Sequence, residues 1–247
     1  MSDAALAPRA QARILAARYW ACTLGDWRTV VLLVAQAPLI GWFCTLVWGS
    51  IETDTPSLYF VLCLSAVWFG CINACREVVK ERAVLERERF FGLSLTAYIA
   101  SKVQVLAVLG LIQVLLLQAA VEWQLALKGA FFVQTLALWG ASLCGTGLGL
   151  LVSAAAKTQE RAVGAIPLLI LPQILFSEFA IPREQFGDVV TWVERFMPVR
   201  WAYEVFTQLA ADETAWGDLV LAFTVLAVQA LVLGSLAVAA LVPRRET

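Results

Sequence analysis

Histidine is absent from all 247 residues of the sequence. That absence removes the imidazole general base, the histidine-based nucleophilic triad and any metal site built on imidazole. Charge is scarce as well: Asp, Glu, Lys and Arg make up 15% of the chain, against about a quarter in a soluble domain. The net charge of −1 gives no reason to expect nucleic acid as a partner. No Gly-x-x-x-x-Gly-Lys-Ser/Thr phosphate loop occurs, so the chain cannot by itself bind ATP in the usual way. A Gly-x-Ser-x-Gly elbow and convergent carboxylates within one apolar run are also missing, which argues against an intramembrane enzyme. The N-terminus has no basic-apolar-small signal pattern and reads as a polar cytoplasmic lead-in.

The six cysteines, Cys22, Cys44, Cys63, Cys71, Cys75 and Cys144, all lie in or beside apolar runs, so no disulfide framework is expected. Cys71 and Cys75 share a helical face, but with no histidine and no second pair they read as small packing residues and not as metal ligands.

What the sequence has is apolar length. Hydrophobic residues make up 61%, and the mean hydropathy is +0.78. They fall into six runs: Val30 to Trp48, Leu58 to Cys75, Tyr98 to Val121, Phe131 to Ala156, Val163 to Ile181 and Asp218 to Val242. About twenty apolar residues match the roughly 30 Å hydrocarbon core of a bilayer. The expected fold is an all-α integral membrane domain of about six transmembrane helices filling 1–247. The fifth run carries Pro167 and Pro172, and a short loop with Glu52 and Asp54 follows the first. Gly145-Thr-Gly147-Leu-Gly149 lies inside an apolar helix and reads as a close helix–helix contact.

Orientation follows Lys and Arg placement. All but four of the 18 fall on one side when the N-terminus is inside; Lys128, Arg183, Arg195 and Arg200 remain outside, while Arg244 and Arg245 join the inner set. Both termini are therefore expected in the cytoplasm. Residues 9–28 mix arginines with Tyr19, Trp20 and Trp27, as in a helix at headgroup level. Residues 76–91 form a dense charged stretch without an internal helix breaker before Gly92, where Glu86 can pair with Arg82 and Arg89 at helical spacing. Residues 182–216 carry Phe186, Trp192, Phe196, Trp201 and Tyr203, which fits an outer re-entrant or interfacial helical segment.

Among ionisable residues within runs, Glu178 stands out, either as a membrane-embedded group or as one meeting water past the helix end. The uncharged Gln36, Gln104, Gln113, Gln118 and Gln134 read mainly as interhelical hydrogen-bonding groups.

Three segments in succession resemble the membrane domain of type-2 ATP-binding-cassette (ABC) exporters, closest to the White-type (G) subfamily. They are Arg18-Tyr-Trp with Gly25-Asp-Trp-Arg28; Arg76-Glu-Val-Val-Lys-Glu-Arg82 with Glu86-Arg-Glu-Arg89 and Tyr98-Ile-Ala-Ser-Lys102; and Phe176-Ser-Glu-Phe-Ala-Ile-Pro182 with Phe196-Met-Pro-Val-Arg-Trp-Ala-Tyr203. The resemblance implies that 76–91 is a coupling helix touching a cytoplasmic nucleotide-binding subunit through Arg76, Glu77, Lys80, Glu81, Arg82, Glu86 and Arg87. Glu77 matches that family's glutamate at the base of span two, and 9–28 is the connecting helix. The resemblance further implies a homodimer with a central cleft, where Trp68, Phe69 and Asn73 line the inner cavity and Phe179 is the apolar plug. Glu178 stands where relatives commonly have Gly, so the plug is either intact or polar. On this pattern ATP and Mg belong to a separate ATPase subunit, with no cofactor in this chain. The implied role is export of a lipid or other amphipathic substrate across a bacterial inner membrane, among membrane lipids. The alternatives are a non-ATP transporter or channel, or a membrane anchor without transport.

Overall fold

The computed structural model describes residues 7–51, 56–179, 186–211 and 213–242, and all their regular elements are helical. Five stretches are long and apolar enough to cross a membrane: α2 (Trp27–Trp48), the stretch Pro56–Phe90 that begins with α3 (Pro56–Ala74), α5 (Leu95–Glu122), α6 (Phe131–Ala155) and α11 (Trp216–Ala240). Before them lies α1 (Pro8–Gly25). Between α3 and α5 come a 3₁₀ turn (Val79–Glu81) and α4 (Arg82–Phe90). The shorter helices are α7 (Gln159–Gly164), α8 (Ile166–Leu175), α9 (Asp188–Glu194) and α10 (Pro198–Ala210).

Local chemistry sets several starts. Asp26 accepts from the Thr29 amide at 3.4 Å ahead of α2, and Ser94 accepts from the Ala97 amide at 3.4 Å ahead of α5. Both side chains satisfy an amide that the helix itself leaves unpaired.

The fifth apolar run differs from the other five. It is divided into α7 and α8, joined at Ala165, and α8 has only ten residues. Ten residues rise about 15 Å, half the hydrocarbon thickness. Pro167 sits in the first turn, where its missing amide costs nothing, while Pro172 deprives the helix interior of a donor. The far half of that layer is filled from the other direction by α10.

A hairpin of α9 and α10 dips into the bundle. At its tip the Arg195 carbonyl accepts from Trp201 Nε1 at 2.8 Å and from Gln229 Nε2 at 3.3 Å. Gln229 is thirteen residues into α11, about 20 Å from its start. The tip is therefore level with the middle of a long span, and the segment is re-entrant. Gln173 at the end of α8 accepts the Val199 amide at 3.3 Å, closing the contact.

α3 and α6 form the tightest pair. A Cβ at Gly70 would overlap the Ser142 carbonyl, and one at Gly145 would overlap the Val67 carbonyl. The glycines let two backbones meet, which is the packing expected of the Gly145-Thr-Gly147 stretch. The interior holds two apolar clusters. The larger joins α3, α5, α6 and α10, with Phe69, Leu117, Leu138 and Phe206 fully buried. The smaller lies at the charged end, where Ala12, Leu15 and Tyr19 of α1 pack with Leu85, Tyr98 and Leu150. The buried side of α1 thus meets protein as well as presenting Trp20 and Leu24 outward.

Glu52, Asp54, Ile181, Pro182, Arg183, Arg244 and Arg245, used in the sequence reading, lie outside the described residues.

Candidate functional site

At the charged end, one cation holds three elements together. Lys102 of α5 is only 2% exposed. Its ammonium lies 2.8 Å from Glu81 Oε2 and 3.8 Å from Glu77 Oε2, and 3.7 Å above the centroid of the Tyr19 ring on α1. Tyr98 donates to the same Glu81 oxygen at 3.2 Å, and Lys80 pairs with Glu77 Oε1 at 2.6 Å. A cation over an aromatic face gains when water is excluded, and so does a short ion pair. Burial, followed by the nearby Glu77 carboxylate, pushes the Tyr19 phenol well above its ordinary range, so it stays neutral against the cation.

A second set of contacts ties α4 to the ends of two spans. Arg82 donates to the Ala154 carbonyl at the end of α6, and Arg89 donates to the Leu241 carbonyl just past α11 at 3.0 Å. The Val78 and Val79 amides both donate to Ser153 Oγ at 3.0 Å. This corrects the expected Glu86 pairing with Arg82 and Arg89. The last carbonyls of a helix have no internal partner and carry its negative end, so they outcompete an exposed carboxylate. Glu86 and Arg87 are left exposed, as is Arg76, and Arg18 of α1 reaches Glu88 at 2.6 Å. Phe90 and Phe91 at the end of α4 are 90% and 86% exposed.

The inner-cavity candidates separate. Phe69 is fully enclosed within the subunit and lines no open surface, because it lies on the side of α3 that faces the core. Asn73 is also turned inward: it donates to Gln113 Oε1 at 2.6 Å, and Gln113 donates to the Leu33 carbonyl at 2.7 Å. Its own amide oxygen is buried without a partner, and the residue borders a cavity of about 170 Å³ bounded by α1, α2, α3 and α5. Trp68 is half-buried and shares its strip of α3 with Val61, Leu64 and Ile72, at helical spacing. Beyond the first turn of α3, this strip is the part that the described residues leave partly uncovered.

Glu178 and Phe179 stand together at the opposite end. Phe179 is 39% exposed and packs on Phe60, ring centroids 4.4 Å apart, and edge-on to Tyr203 at 5.8 Å. Glu178 borders a partly open cavity of about 150 Å³ shared with Glu194, Arg200, Tyr203 and Glu204. Arg200 Nε is 3.6 Å from Glu194, whose side chain is almost fully buried. The position is thus both a ring contact and a polar vestibule, and the two readings of Glu178 are neighbours in space.

Sequence reasoning passed over Lys102, Tyr19, Glu194, Arg195 and Arg200 as site residues. Lys102 carried a usable signal, a lysine inside the first turns of a 28-residue apolar helix. Tyr19 read only as an interfacial aromatic, because its place over Lys102 depends on how α1 packs on α5. Glu194, Arg195 and Arg200 carried no signal, since their depth depends on the hairpin entering the bundle.

Two comparisons bear on this architecture. Residues 10–210 match the family model described as ABC-2 type transporter. An ABC transporter ATP-binding/permease protein of Mycobacterium tuberculosis (strain ATCC 25618 / H37Rv) is 30% identical over 169 residues, covering 63% of this chain. The match spans 19% of that relative's length. With the family match running from the α1 region to the end of α10, across both the charged cluster and the re-entrant hairpin, this multi-pass membrane chain belongs to the ABC-2 type transporter family.

Proposed function

We propose that this chain is the permease of an ATP-driven exporter, of the White-type subfamily, moving a lipid or other amphipathic molecule as a homodimer. A nucleotide-binding ATPase carries ATP and Mg and docks on α4 and α1 at the charged end, which faces the cytoplasm together with both termini. The membrane is a bacterial plasma membrane. The observation that carries this reading is the linkage around Lys102, Arg82 and Arg89. Any displacement of the 3₁₀ turn and α4 is passed through ion pairs and capped carbonyls to α1, α5, α6 and α11. The exposed side chains Arg76, Glu86, Arg87, Phe90 and Phe91 then supply the docking surface. In the dimer, Trp68 and its neighbours on α3 line the cleft, and Phe179 closes it beyond.

The test is co-purification of the tagged chain with the ATPase encoded beside it, followed by ATPase assays in lipid. A stable complex is expected, and Glu86→Lys with Arg87→Glu should lower its recovery about tenfold, roughly the loss of one or two charge-assisted contacts. Absence of any complex, or full recovery with both charges reversed, would refute the docking assignment.

A further inference from the structure

An apolar groove of about 550 Å³ runs between α8 and α11, walled by Leu168 and Pro172 on one side and by Val228, Val232 and Leu236 on the other. From Val225 to Leu236 it follows α11 for eleven residues, about 16 Å, which is the depth of one leaflet of hydrocarbon. One charged side chain lines it, that of Arg195 at the tip of the re-entrant hairpin. The Arg195 main chain is held level with the middle of α11 by Gln229, yet its side chain is exposed, and no carboxylate among the described residues pairs with it. The guanidinium starts about 20 Å from the beginning of α11, farther than the side chain can reach by extending toward water. An unpaired arginine at that depth is expensive, and such groups face a partner or a water-filled path.

We propose that this groove binds an amphiphile with a single anionic head group, its phosphate or carboxylate on Arg195 and its alkyl tail along α11 toward Leu236. Two features select this occupant over an uncharged chain or a cation. The cationic end is matched only by an anion, and the slot from Gln229 to Leu236, about 10 Å of α11, is apolar. The guanidinium fork suits a planar or tetrahedral oxyanion. The assignment deepens the transport reading by naming the substrate's head group, and depends on that reading only for placing the chain in a bilayer.

The full-length chain in lipid nanodiscs, carrying trace spin-labelled phosphatidylglycerol, stearate or phosphatidylcholine with the same label position, reports the motionally restricted fraction of each. Both anions are expected to associate about fivefold more strongly than phosphatidylcholine, the effect of one favourable charge. Arg195→Gln should erase that preference. Val232→Trp should fill the slot and lower the restricted fraction of the anions, with helicity and monodispersity checked on the same samples. Retained preference in Arg195→Gln, or equal association of all three probes with the wild type, would overturn the proposal. So would a cross-link between two copies through Val232→Cys in a Cys22→Ser background, because protein would then occupy the groove. None of these readouts involves the ATPase, so their failure leaves the coupling assignment standing.

Discussion

Lys102 is the residue on which the charged end depends. Its ammonium has given up water for Glu81, Glu77 and the Tyr19 ring, and replacing it takes from the partly enclosed Glu81 its ion-pair partner and leaves Glu77 with Lys80 alone. Lys102→Met should therefore cost on the order of 3 kcal/mol, the lower end for breaking a buried pair because Glu81 keeps some solvent. Thermal unfolding in detergent reads this directly. Lys102→Arg should recover part of it, since the charge returns in a different shape. At the other end, Phe179→Ala removes the contacts to Phe60 and Tyr203 and opens the vestibule around Glu178. Increased leak of a small fluorescent amphiphile from proteoliposomes without ATP is the expected outcome if Phe179 closes the cleft.

At the scale of elements, the α3–α6 pair is held by direct backbone contact, whereas α4 and its turn are held by side-chain bonds to the span ends. Gly145→Val places a side chain against the Val67 backbone and should destabilise by at least the 1–3 kcal/mol typical of overpacking. Gly164→Ala, where nothing lies within 4 Å of the added Cβ, serves as the neutral control under the same thermal assay. Arg82→Gln with Arg89→Gln releases α4 from the ends of α6 and α11. Hydrogen exchange over 82–90 should then accelerate about tenfold, in line with loss of charge-assisted bonds, while α3 and α6 keep their protection. The long elements were legible in the sequence because a twenty-residue apolar run has only one common structural outcome in lipid. The division of the fifth run was only half legible. Pro167 and Pro172 marked the irregularity, but a proline inside a span is compatible with a kinked continuous helix, and the choice between kink and break was made by α10 occupying the remaining layer.

The whole molecule is a bundle with a charged end, a layer of tight small-residue packing and an opposite end containing a re-entrant hairpin. If the charged end is cytoplasmic, a membrane-impermeant thiol reagent applied to intact cells should label Phe132→Cys at the start of α6 and spare Phe91→Cys at the end of α4, both strongly exposed positions. Reversed labelling would invert the orientation. The sequence by itself determined the membrane class and the positions of six apolar runs, five of which are long spans, and it marked the charged and aromatic segments between them. Those follow from apolar length and charge placement along the chain, which are one-dimensional properties. Only the tertiary structure decided which charged residues matter. Glu86 looked paired and is exposed, Phe69 looked like a cavity wall and is core, and Arg195 looked like an outer-loop charge and lies half-way along a span. The reason is physical: a side chain's cost and partner depend on depth and on what packs beside it, and neither is written in its neighbours along the chain.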